Sequence, residues 1–212
     1  MDKPMGIMCA GFRTENVAKD EFHDWYDTEH IPERLGVKGF INAERWIGAD
    51  DPHVAFATYD LETLDVLQSP SYLAFTGVNQ SPWTKRVEHR LGKIGRFVGD
   101  QLVPGNVAAP ANAGGLLFVA MNVVHEAEAE LNEWYNTEHI PRLSAVPGCL
   151  CARRFRWEGG THKYFAVYHL ASPEICASTV WREAARSPWT EKITKHTSNL
   201  IRIAMRRYVR KA

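Results

Sequence analysis

The stretch EFHDWYDTEHIP, residues 21–32, returns as ELNEWYNTEHIP, residues 130–141. The offset of 109 positions holds without a gap across Gly39 and Gly148, Arg45 and Arg154, His53 and His162, and Tyr59 and Tyr168. It also pairs the apolar openings that begin at Gly6 and Gly115. After a three-residue deletion, Ser81-Pro-Trp83 matches Ser187-Pro-Trp189 and Arg96 matches Arg202. A repeat on this scale sets the whole architecture, because each copy must bury its own apolar faces. We therefore expect an N-terminal repeat over residues 1–99, a linker over 100–114 rich in Pro, Gly, Ala and Asn, and a C-terminal repeat over 115–212.

Within each copy the pattern predicts strand, helix, strand, strand, helix, strand. Ile7–Phe12 and Leu116–Met121 are short apolar runs suited to buried strands. Lys19–His30 carries Phe22, Trp25, Tyr26 and Glu29 at helical spacing, and Pro32 is expected to end that helix. Phe40–Ile47 and Val54–Leu61 predict a hairpin around residues 48–52. A second helix is expected from about Glu62, interrupted near Ser69 and Pro70, and a last strand covers Lys93–Val98. The expected fold class is α+β: two ferredoxin-like β-α-β-β-α-β repeats packed sheet to sheet as an intramolecular dimeric α/β barrel.

Composition narrows the function. The 212 residues carry 25 basic and 25 acidic side chains, so no surplus of positive charge argues for a nucleic-acid partner. No apolar run approaches a bilayer span, and no charged start precedes a long apolar core. The four cysteines (Cys9, Cys149, Cys151, Cys176) form no CxxC and read as reduced thiols of a cytoplasmic protein. The expected partner is a small-molecule substrate, with no nucleic acid and no membrane; the chain could pair as a homodimer.

The chemistry-bearing residues cluster on the repeated helix. At about 100° per residue, Glu29 and Glu138 fall in the middle of the aromatic faces made by Phe22, Trp25 and Tyr26 and by Leu131, Trp134 and Tyr135. A carboxylate there is either a general acid or base, or one half of an ion pair, with Arg45 and Arg154 as the natural partners. His30 and His139 are candidate proton-transfer residues, or caps on the helix C-termini. Trp25, Tyr26, Tyr59, Arg45, Trp134, Tyr135, Tyr168 and Arg154 are candidates for substrate contact, against the alternative of core packing. His53 and His162 fall in turns. His23, Asp27 and His30 share one sector as a non-haem iron site would require, but Asn132 and Asn136 replace two of them in the second copy, so no metal is expected. The basic tail, Arg202–Lys211, reads as a solvated last strand.

The motif Phe22, Tyr26, His30, Pro32, followed by Gly39, resembles the dimeric α/β-barrel superfamily and, within it, the EthD-like proteins. Tyr135, His139, Pro141 and Pro147-Gly148 repeat it, with Leu131 in place of the phenylalanine. The resemblance implies a pseudo-dimer of ferredoxin-like halves, with sites between each sheet and its helices. From it and the residues above we expect a lyase, isomerase or cyclase, working without a cofactor by His/Glu proton transfer on a small aromatic or cyclic molecule. The same fold implies one alternative, a monooxygenase or haem enzyme; a second, of a different class, is a non-catalytic protein that binds a hydrophobic ligand.

Overall fold

The computed structural model describes residues 3–210; Met1 and Lys211 lie outside them. The described residues divide into two compact units, 3–100 with 208–210, and Gln101–Arg207.

In the first unit, β1 (Gly6–Arg13) pairs antiparallel with β3 (Val54–Leu61) on one side and with β4 (Gly92–Val103) on the other. β2 (Glu44–Gly48) closes the hairpin with β3, so the strand order is β4-β1-β3-β2. β2 is shorter than the sequence suggests: Phe40 makes only an isolated bridge to Leu61. β4 is longer, and runs through Val103 into the stretch read as a linker. β3 is buried at every position, Thr58 and Asp60 included, in an otherwise apolar run of Val, Ala, Phe, Tyr and Leu.

The first helix also departs from expectation. α1 (Lys19–Trp25) passes into a π-helical turn, Tyr26–His30, and then into α2 (Ile31–Leu35) without a break at Pro32. The Ile31 N–H reaches back five residues to the Tyr26 carbonyl. Proline breaks a helix by lacking an N–H and by crowding the carbonyl four residues back. Here Pro32 falls in the opening positions of α2, just after the widened turn, where proline is tolerated. The second helical region is a 3₁₀ turn (Leu64–Gln68), α3 (Pro70–Leu73), another 3₁₀ turn (Gly77–Asn79) and α4 (Pro82–Arg90). Ser69 and Ser81 cap α3 and α4, each accepting a backbone N–H three residues on.

The second unit follows the same element order. β5 (Gly115–Val123), β6 (Cys149–Arg156), β7 (Tyr164–Leu170) and β8 (Thr197–Arg207) are ordered β8-β5-β7-β6, with every pair antiparallel. The helices are α5 (Glu128–Trp134), a π turn over Tyr135–His139, α6 (Ile140–Ser144), α7 (Thr179–Ala184) and α8 (Pro188–Ile193). Leu131, Trp134 and Tyr135 from the helix layer pack on Leu117, Ala166 and Tyr168 of the sheet. Each such buried side chain contributes about 1.5–3 kcal/mol.

Gly39 and Gly148 sit at φ of 99° and 88° after their helices. A Cβ there would strike Val66 Cγ2 at 2.4 Å or Ile175 Cδ1 at 2.2 Å, so both the conformation and the space require glycine.

Candidate functional site

The π turn decides which residue points inward. His30 is 8% exposed; its ring lies 4.6 Å from Trp25 and 5.1 Å from Tyr26. It forms one wall of a cavity of about 390 Å³ in the first unit, with Met8, Arg34, Tyr59, Tyr72 and Arg96 around it. Burial, with smaller contributions from Arg34 and Arg45, pushes the imidazole pKa down to about 3, so the ring is neutral. Its Nδ1 is buried without a hydrogen-bond partner.

Arg34 follows one turn later and is 4% exposed. One guanidinium nitrogen, Nη2, donates to the Phe75 carbonyl at 3.5 Å. The other, Nη1, donates no hydrogen bond and has a Glu33 carboxylate oxygen 3.7 Å away. The Tyr59 hydroxyl lies against that of Tyr26 without satisfying hydrogen-bond geometry, and burial raises the pKa of both. At the rim, Arg96 donates to Met8 Sδ at 3.4 Å, an ordinary length for sulfur, and makes a long contact of 3.5 Å to the Tyr72 hydroxyl. Lys93 adds a further cation, while Glu88 accepts from Gln80 at 2.8 Å. The cavity thus offers apolar walls, a neutral imidazole and an excess of positive charge.

Glu29 is placed elsewhere. Its carboxylate accepts from Ser81 Oγ at 2.5 Å and Thr84 Oγ1 at 2.9 Å, which ties α4 to the first helix. Thr84 also accepts from Trp25 Nε1 at 2.9 Å. Glu138 repeats the arrangement with Ser187. The expected pairing of Glu29 with Arg45 is therefore corrected. Arg45 instead donates to Asp27 at 2.6 Å and to His23 Nδ1 at 2.7 Å, and its guanidinium lies 4.5 Å from the Tyr26 ring and 4.1 Å from Tyr208. Among the described residues Arg154 finds no carboxylate: it donates to Asn136 at 3.4 Å and stacks on Tyr135 and Tyr164. His23 and Asp27 are both committed to Arg45, so they do not join His30 as a metal-binding trio, and among the described residues no such cluster forms.

The second unit places Trp134, Tyr135, His139 and Tyr168 around its own cavity of about 270 Å³. Burial lowers the His139 pKa to about 4. His53 accepts the Thr14 hydroxyl on its backbone carbonyl, and His162 contacts the Asn199 carbonyl; both lie apart from the cavities.

The lowered pKa values of His30 and His139 give a pH prediction. Their folded pKa values lie below the unfolded value of about 6.5, so as pH falls the unfolded chain takes up protons first and stability drops. Urea denaturation is expected to give about 1 kcal/mol less stability per histidine at about pH 5.5 than at about pH 7.5. His30→Gln and His139→Gln should each remove their share; equal pH sensitivity in both variants and the parent would rule out this origin.

Solved structures resemble the whole chain. A candidate chlorite dismutase aligns over 97% of this chain and 95% of its own, with a TM-score of 0.65 and 11% identity. An anthrone oxidase-like protein covers 98% and 92%, at 0.62 and 10% identity. A candidate monooxygenase from Fusobacterium nucleatum covers 98% and 94%, at 0.57 and 10%. These likenesses show a shared fold, an α+β fold of the dimeric α/β-barrel kind. No protein-family model matches the sequence, and no curated protein does. These neighbours also correct the expected reaction: proteins of this fold carry the names of oxidative enzymes, so the reading as a lyase or isomerase working without a cofactor does not stand. No helix of the described residues is long and apolar enough to cross a membrane.

Sequence reasoning missed Arg34, Tyr72 and Arg96. Arg34 carried a signal: it lies four positions after His30, one turn along the same helix face.

Proposed function

We propose that the chain is an oxidative enzyme of the monooxygenase type, and that the first unit's cavity holds its substrate. The observation that carries this reading is the meeting of a buried neutral imidazole, His30, and a buried guanidinium nitrogen, Arg34 Nη1, with no hydrogen bond of its own, on one apolar cavity. That pair suits a small aromatic ketone with an acidic ring methylene. His30 takes the methylene proton, and Arg34 holds the oxygen on which negative charge develops. Dioxygen is the oxidant. The methylene carbon gains one oxygen atom as a carbonyl, and the second oxygen leaves as water with the two hydrogens, so electrons balance without a further reductant. The name of the anthrone oxidase-like neighbour supports this substrate class.

The haem alternative finds less support in these residues. A histidine that holds iron donates its other ring N–H to an acceptor. Among the described residues neither His30 nor His139 does so, and His30 Nδ1 is buried without one. The repeat further supports an origin of the two units by tandem duplication on an EthD-like pattern.

The test is turnover of anthrone under ¹⁸O₂, read by mass spectrometry. One labelled oxygen in the quinone product and one in water is expected. No consumption of anthrone above the uncatalysed rate overturns the reading.

A further inference from the structure

The second cavity keeps the aromatic floor of the first but not its charged wall. Leu143 stands where the repeat puts Arg34, Trp181 where it puts Tyr72, and Met121 where it puts Phe12. Leu143 and Trp181 are 2% and 3% exposed, so these exchanges lie deep in the wall. An oxyanion beside His139 would meet Leu143 methyl groups and lose its hydration without a donor in return. The cations here are confined to the mouth, as the exposed residues Arg182, Arg186 and Arg202, the last of them the repeat partner of Arg96. Arg182 donates to the Thr179 hydroxyl and Arg202 to the Cys176 carbonyl, each at 3.3 Å. Among the described residues none of the three is within ion-pair distance of a carboxylate. An apolar hole ringed by one sign of charge concentrates ligands of the opposite sign at its entrance.

We propose that the second unit's cavity is a separate binding site for a small apolar carboxylate. The aryl or alkyl body fills the floor between Trp134 and Trp181, and the carboxylate remains at the mouth with the arginines. This orientation is the reverse of the first cavity, where the buried cation draws the ligand's oxygen inward. The site is independent of the oxidation assigned to the first unit, because no residue is shared.

Calorimetric titration of the full chain with 2-naphthoate and with 2-naphthylmethanol, the same ring system without charge, tests the proposal. Reversing two mouth charges, in Arg186→Glu with Arg202→Glu, is expected to weaken naphthoate at least about tenfold and to leave the alcohol within about twofold. Both substitutions are at exposed positions, so folding is not at risk. Ala185→Leu, which narrows the cavity wall, should weaken both probes. Arg34→Leu should leave naphthoate binding in place. Absence of naphthoate binding at about 1 mM, an unchanged affinity in the double variant, or loss of binding in Arg34→Leu would each overturn the proposal.

Discussion

Arg34→Leu is expected to lower anthrone turnover by about 10²–10³-fold, the usual cost of removing one donor aimed at a developing oxyanion. The fold should survive. Leucine already occupies the matching buried position in the second unit, as Leu143, and exchanging a buried cation for a well-packed apolar side chain is often neutral. Arg34→Lys keeps the charge but not the planar fork, and should recover only part of the rate. Because the donor acts on charge that grows during the reaction, the loss should fall on kcat more than on KM. Turnover within about threefold of the parent would mean that Arg34 holds no reacting oxygen.

The second large effect concerns stability and comes from the repeat's paired arginines. Arg45→Met is expected to cost about 2–3 kcal/mol, because it leaves half-buried Asp27 to the more exposed Arg210 at 3.3 Å and takes the donor from the His23 ring nitrogen. It also strips the cation from between the Tyr26 and Tyr208 rings. Arg154→Met, at the matching position of the other unit, should cost less than about 1 kcal/mol. Its guanidinium is buried with Nε and Nη2 unpaired, and burial lowers its pKa, so methionine removes an unfavourable desolvation along with the ring contacts. Urea unfolding of the two variants settles the contrast; equal losses would show that ring stacking, not the Asp27 pair, carries the stability.

The element order of each unit was legible because β3 and β7 are uninterrupted buried strands and the amphipathic helix between strands repeats. The end of that helix was not legible. Reading the stretch at about 100° per residue put Glu29 at the centre of the aromatic face and ended the helix before Pro32. The π turn winds more slowly, so His30 takes the inward position and Glu29 swings toward Ser81 and Thr84. The ion pair was misassigned for the same reason: with Glu29 displaced, Asp27 became the carboxylate that meets Arg45. Arg96 was visible as a repeated residue but not as a cavity residue, because its place depends on β4 running past β1 rather than on any local pattern.

The widened turn amounts to one extra residue looped into an otherwise regular helix, and it occurs in both units. Its consequence is that the helix carries a spare residue. Straightening the turn to ordinary i→i−4 pairing without shortening the chain would turn everything downstream by about 100° about the helix axis, and His30 and Arg34 would leave the cavity together although neither had been substituted. Deleting one residue between Tyr26 and His30 would absorb that rotation and keep both side chains facing the cavity. In this chain the winding of the helix is as much a determinant of the site as the side chains it carries.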